Sequence, residues 1–94
     1  MAKILFYGAF QAIVGQAAIE QKVSNSSPLS KVFIELFDKF PNLKPAMFIP
    51  NTESLRPKVL LLRNGERIRD NATGVLAHPD DQIVIMHQIA VGYV

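Results

Sequence analysis

The stretch SNSSPLSKVFIELFDKF, Ser24 to Phe40, is the part of the chain whose reading decides the fold. Leu29, Val32, Phe33, Leu36, Phe37 and Phe40 recur at intervals of three and four residues, which places them on one stripe of an α-helix. Ser27 is placed to cap that helix, Pro28 suits its first position, and Pro41 stops it, because a proline disfavours helical geometry in the residue before it. An aromatic stripe with this spacing reads as a core face rather than as a groove for a cofactor.

The segments on either side read as strands. Upstream, KILFYG (Lys3 to Gly8) and AAIEQKV (Ala17 to Val23) are β-rich, with Gly15 between them as the turn of an opening hairpin. Downstream, residues 41–57 hold four of the six prolines and read as a constrained surface loop with one helical turn near Leu43 to Phe48. KVLLLRNGERIRD (Lys58 to Asp70) follows, and Asn64-Gly65 between two strand-like runs signals a two-residue hairpin turn. NATGVLAHPDD is rich in turn residues, and QIVIMHQI (Gln82 to Ile89) returns to strand. The expectation is one α+β domain over residues 1–94, with residues 88–94 as a mobile C-terminal tail.

Two of these strands are apolar on both faces. Val59 to Leu62 and Ile83 to Met86 contain no polar residue, so a single helix can cover only half of what they present. Leu60, Leu62, Val84 and Met86 then fall on the face away from the helix. That face is either a protein-protein interface or the bed on which the proline-rich loop lies.

Composition narrows the chemistry. The 94 residues are 49% apolar and 19% charged, which fits a folded domain too small for a core plus a deep catalytic cleft. The absence of cysteine excludes disulfides, thiolate metal sites and a cysteine nucleophile. Ten basic residues against eight acidic ones leave a formal charge of +2, without the run of Lys and Arg that tracks a nucleic-acid backbone. The nearest patch is Arg56, Lys58, Arg63, Arg67 and Arg69, which reads as a solvated hairpin or as a face for an acidic partner. Lys3 followed by ILFYGAFQAIVG has the outline of a signal peptide, but Gln11 interrupts it and the segment is strand-like, so the reading is cytoplasmic. In that compartment the sequons at Asn25 and Asn71 carry no sugar, and no apolar run is long enough to span a membrane.

Nothing in the residues has the pattern of an enzyme. His78 precedes Pro79-Asp80-Asp81, the make-up of a tight turn whose Asp side chains bond backbone amides. His87 reads as a surface histidine on an edge strand. The two histidines make no metal site by themselves, and the chain has no nucleophile elbow, Walker loop or dinucleotide fingerprint. Catalytic, cofactor-binding and metal-binding residues are therefore all expected to be none.

The order hairpin, helix, proline-rich connection, hairpin, turn, last strand and tail is that of the ubiquitin-like β-grasp fold, a mixed sheet of four to five strands on one main helix. KILFYGAFQAIVG, PLSKVFIELFDKFPNLK and LRPKVLLLRNGERIRDNATGVLAHPDDQIVIM together resemble the MoaD-type small subunit of molybdopterin synthase, within the MoaD/ThiS family of sulfur carriers. The resemblance spans nearly the whole chain, including Gly74 and Leu76 before the acidic turn. It implies a non-catalytic carrier whose C-terminal glycine is adenylated by an E1-like activating enzyme and converted to a thiocarboxylate. The sulfur is then delivered within a large-subunit-like protein in molybdenum or tungsten cofactor biosynthesis. Under this resemblance Leu60, Leu62, Val84 and Met86 dock on the partner.

The tail departs from the family pattern. Relatives end in Gly-Gly, whereas Ile89-Ala90-Val91 here leads to Gly92, then Tyr93 and Val94. If Gly92 is the sulfur-accepting terminus, Tyr93 and Val94 must be trimmed and Val91 stands where a glycine is usual. The alternatives are a β-grasp interaction module without carrier activity and a ubiquitin-like modifier joined to lysines of other proteins.

Overall fold

The computed structural model describes residues 1–23, 26–52, 54–68 and 76–88. The sequons at Asn25 and Asn71, Arg69, Gly74 and the tail from Ile89 onward lie outside the described residues. In chain order the elements are β1 (Ala2–Phe6), α1 (Ala9–Val14), β2 (Ala18–Gln21), β3 (Ser27–Pro28), α2 (Leu29–Lys39), α3 (Leu43–Met47), β4 (Val59–Arg63), β5 (Glu66–Ile68), β6 (Leu76–Ala77) and β7 (Gln82–His87).

The main sheet has five strands in the order β2-β1-β7-β4-β5. β1 and β7 run parallel, and β2, β4 and β5 pair antiparallel with their neighbours. This is the ubiquitin-like β-grasp, α+β in class, as the order of elements in the sequence implied. β7 lies in the middle, between the first strand and the second hairpin, so Ile83 and Ile85 are fully buried beside Ile4, Phe6 and Leu61.

α2 lays Leu29, Val32, Phe33 and Leu36 on the inner face of this sheet, all of them buried. Phe37 and Phe40, expected on the same stripe, are only half-buried and pack against the edge of the core, Phe40 as the residue after the last turn of the helix. Phe33, Phe37 and Phe48 make a cluster of rings with centroids 5.8–5.9 Å apart.

Four local expectations are corrected. The connection from β1 to β2 is not a tight turn at Gly15. It contains the one-and-a-half-turn helix α1, whose Phe10 and Val14, four residues apart, share a buried face. Gly15 does close it, at φ 80°, where its amide donates to the Gln11 carbonyl at 2.7 Å. At the start of α2 the cap position belongs to Pro28 and not to Ser27: Pro28 is extended (ψ 146°), stands outside the first turn and has no side-chain cap bond. Ser27 and Pro28 instead pair antiparallel with Ala77 and Leu76, a contact between segments distant in sequence. Finally, the proline-rich connection does not merely cross the surface: Leu43, Met47 and Phe48 are buried in the same core as α2.

The Asn64-Gly65 turn is as expected, with φ 52° and 87°, the left-handed pair of a tight hairpin. Its asparagine has a further role. The Asn64 amide donates to the Gln82 carbonyl at 2.8 Å, the Gln82 amide donates to Asn64 Oδ1 at 2.8 Å, and Asn64 Nδ2 donates to Asp81 Oδ1 at 2.9 Å. The hairpin tip is thereby fastened to the start of β7.

Candidate functional site

The face of the sheet away from α2 is built by strand alternation. Because Val59, Leu61, Ile83 and Ile85 point inward, their neighbours Leu60, Leu62, Val84 and Met86 point outward. The β4-β7 register sets Leu60 opposite Met86 and Leu62 opposite Val84, so the structure brings the four sequence-predicted interface residues into one block. Leu60, Leu62 and Met86 are half-buried, while Val84, in the centre, is buried. The proline-rich loop does not lie on this face, since Leu43, Met47 and Phe48 pack into the core on the other side of the sheet.

Sequence reasoning missed two members. Leu5 pairs with Val84 across the parallel β1-β7 ladder. Tyr7, two residues further on, donates its amide to the Ile85 carbonyl at 3.1 Å, which extends that ladder by one position and sets Tyr7 beside Met86. Tyr7 is 48% exposed, a large aromatic left open to solvent. The signal was present in the alternation Lys3, Leu5, Tyr7 against the buried Ile4 and Phe6, but it acquires meaning only once β1 is known to lie against β7.

One end of this face is the end of β7, where the described residues stop at Gln88. The Gln88 amide donates to the Lys58 carbonyl at 2.7 Å, continuing the β4-β7 pairing one step beyond β7. Just before it, the imidazole of His87 lies on the ring of Phe10 from α1. The expectation of an edge-strand histidine is corrected here: β7 is central, and His87 ends it with one ring face covered. Ile89, Ala90, Val91 and Gly92, the expected arm and sulfur-accepting terminus, lie outside the described residues.

At the opposite end of β7, residues His78 to Asp81 form the tight turn that the sequence suggested. The Asp81 amide donates to the His78 carbonyl at 3.1 Å, and the His78 amide donates to Asp81 Oδ2 at 2.8 Å. Burial pushes the Asp81 carboxyl up, but the His78 amide, the Asn64 side chain and the nearby His78 and Arg63 charges outweigh it and hold the group below its ordinary value of 3.8. His78 Nδ1 is hydrogen-bonded to Ser26 Oγ at 2.7 Å. Asp81 reaches the His78 backbone rather than its ring, so this is a clasp between loops and not a catalytic relay. Among the described residues no group of three or more His, Cys, Asp or Glu side chains is arranged to hold a metal. Among them, too, no helix is long and apolar enough to cross a membrane.

No known family profile matches the chain, and no curated protein matches it in sequence. Solved structures do match in shape. Small archaeal modifier protein 1 of Haloferax volcanii superposes with a TM-score of 0.80 at 16% identity, covering 97% of this chain and 98% of that one. The small archaeal modifier protein 1 of Methanosarcina acetivorans gives 0.78 at 23% identity, covering 97% and 95%. The Amycolatopsis orientalis BexX/CysO complex contains a chain that gives 0.81 at 14% identity, covering 98% and 100%. At these identities the likeness establishes the ubiquitin-like β-grasp fold over nearly the full length of the chain.

Proposed function

We propose that this chain is a ubiquitin-like sulfur carrier of the molybdopterin synthase small-subunit type, acting in the cytoplasm on the pathway to the molybdenum or tungsten cofactor. The observation that carries the reading is the placement of β7. β7 ends in the middle of the sheet, beside the apolar face of Leu60, Leu62, Val84 and Met86, and it is the last strand before the glycine at position 92. A protein docked on that face is positioned to receive the arm in its own active site. Solved neighbours of the same shape support it, one of them captured in a BexX/CysO complex.

The chemistry asked of the arm is simple. A carboxylate is a poor electrophile, so the terminal carboxylate of Gly92 attacks the α-phosphorus of ATP on an E1-like activating enzyme, and pyrophosphate leaves. Hydrosulfide then adds to the acyl carbon of the adenylate, expels AMP and gives up its proton, leaving a thiocarboxylate. The partner resembling the molybdopterin synthase large subunit accepts that sulfur. The chain itself contributes the terminal carboxyl, once trimmed to Gly92, and a docking surface, and no catalytic group.

The test compares three termini: the chain ending at Val94, a version ending at Gly92, and a Gly92-ended version carrying Val91→Gly. Pyrophosphate exchange with the activating enzyme should rise in that order, because Tyr93 and the branched Val91 obstruct a passage fitted to glycine. Equal exchange by all three removes the trimming step. Exchange by none, with binding to the large subunit retained, favours a β-grasp interaction module.

A second reading, a protein modifier, is favoured by the names of the small archaeal modifier neighbours. Intact mass of the chain isolated from its own cells separates the two. A thiocarboxylate replaces oxygen by sulfur at the terminus, whereas a modifier appears in conjugates of higher mass.

A further inference from the structure

Five cations stood together in the sequence, Arg56, Lys58, Arg63, Arg67 and Arg69, and the fold separates them. Arg56 Nε donates to the Pro45 carbonyl of α3 at 2.8 Å, and Arg63 donates to the Leu76 carbonyl of β6, so both of these are engaged by the backbone of other elements. Arg69 lies outside the described residues. Arg67 is exposed and sits opposite Leu62 on the outer face of the β4-β5 hairpin. Lys58 is exposed in the turn just before β4, at the end of the block where Leu60 meets Met86 and where its carbonyl accepts from the Gln88 amide. On the far side, exposed Lys3 precedes Leu5 by two residues and lies on that face too.

The outer face is therefore an apolar block with cations on three sides: Lys58 at the end of β7, Arg67 along β5 and Lys3 along β1. Among the described residues the one acidic side chain that the register places on this face is Glu20, opposite Lys3. Among them also, Lys58 and Arg67 make no ion pair. Lys3, Lys58 and Arg67 stand on separate elements around Leu60, Leu62 and Met86 and form no continuous run of the kind that tracks a phosphate backbone. They suit a protein surface, in which carboxylates ring a hydrophobic centre.

We infer that the partner docking on this face presents carboxylates to Lys58 and Arg67 around an apolar contact, and that these charges set how fast it docks while the apolar centre sets how long it stays. The inference rests on the docking role proposed above and specifies the chemistry of the partner's side. Rim charges at an interface steer the encounter and are screened by salt, whereas desolvated apolar contacts govern dissociation.

The experiment measures association and dissociation rates of the chain with the large-subunit homologue and the activating enzyme of the same genome, at low and high sodium chloride. For the natural chain, association should slow by roughly tenfold as ionic strength rises from about 50 to 500 mM. K58E/R67E should slow it by a similar factor at low salt and lose most of the salt dependence. K58R/R67K should behave as the natural chain, and thermal melts should be alike for all three because both positions are exposed. Met86→Glu should instead shorten the lifetime of the complex. Binding that M86E abolishes but that neither salt nor K58E/R67E affects overturns the acidic-rim inference and leaves the docking role standing. No binding to either protein overturns both. Salt-sensitive retention of the natural chain on single-stranded DNA that K58E/R67E abolishes, with partner binding unchanged, overturns the inference in favour of nucleic acid.

Discussion

His87 and Phe10 are stacked, with ring centroids 4.3 Å apart and planes within 16° of parallel. Phe10 belongs to the short helix after the first strand and is fully buried, while His87 is the last residue of β7. The contact ties the end of β7 directly to α1.

Stacked aromatic pairs contribute about 0.5–1.5 kcal/mol beyond the area that they bury. Phe10→Ala should cost about 3–5 kcal/mol in urea unfolding, as removal of a buried aromatic does. His87→Ala should cost about 1 kcal/mol, and the double variant should be less destabilised than the sum of the two. Strict additivity would mean that the two rings do not interact in solution.

Asp81 predicts a pH dependence. Its carboxyl is held below its ordinary value in the folded chain, so the charged form is favoured by folding. The stability it contributes is complete above the unfolded value of about 3.8 and is lost as pH falls through the lower folded value. Chemical denaturation at pH 7 and at stepwise lower pH should show a decline beginning near pH 4. Asp81→Asn should cost about 1–3 kcal/mol at pH 7, since the His78 amide loses a charged acceptor, and its acid decline should be shallower than that of the natural chain. An identical acid profile for both proteins would assign the decline to other carboxylates.

Burial separates two phenylalanines of the helix. Phe33 is 2% exposed and Phe37 is half-buried. Phe33→Ala should therefore cost about 3–5 kcal/mol and Phe37→Ala roughly half of that. Equal losses in thermal melts would mean that the Phe37-Phe48 contact matters as much as the core proper.

Neighbouring residues of β7 should behave in opposite ways. Ile85 is fully buried against α2's side of the sheet, and Met86 faces outward opposite Leu60. A glutamate at position 85 should unfold the chain, because a buried carboxylate has no partner there. A glutamate at position 86 should leave it folded, with circular dichroism near that of the natural chain, and weaken binding to the large subunit by at least about tenfold. A folded Ile85→Glu protein would mean that the sheet faces are assigned the wrong way round.

The parts legible in the sequence were those governed by residues close together in it. The spacing of Leu29, Val32, Phe33 and Leu36 defines a helix because the 3.6-residue period acts within a few turns. Asn64-Gly65 defines a hairpin because both backbones must take positive φ, which few residue pairs do without strain. The order of these elements was enough for the β-grasp class, and the doubly apolar β4 and β7 were enough to single out Leu60, Leu62, Val84 and Met86 as an unpartnered set.

Tertiary structure decided what depends on segments far apart. α1 escaped notice because six residues of mostly apolar sequence carry too little of a period to tell helix from strand, and its helical state is settled by burying Phe10 and Val14. The pairing of Ser27-Pro28 with Leu76-Ala77 has no local signal at all. Nor could the sequence separate Arg56 and Arg63, which bond carbonyls of α3 and β6, from Arg67 on the outer face and exposed Lys58 at its end. Above all, Leu5 and Tyr7 join the apolar face, and His87 becomes the end of a central strand, only because β1 lies parallel to β7. A single residue reveals its own preference for helix, strand or turn, but the partner across a ladder is chosen by burial summed over the whole sheet.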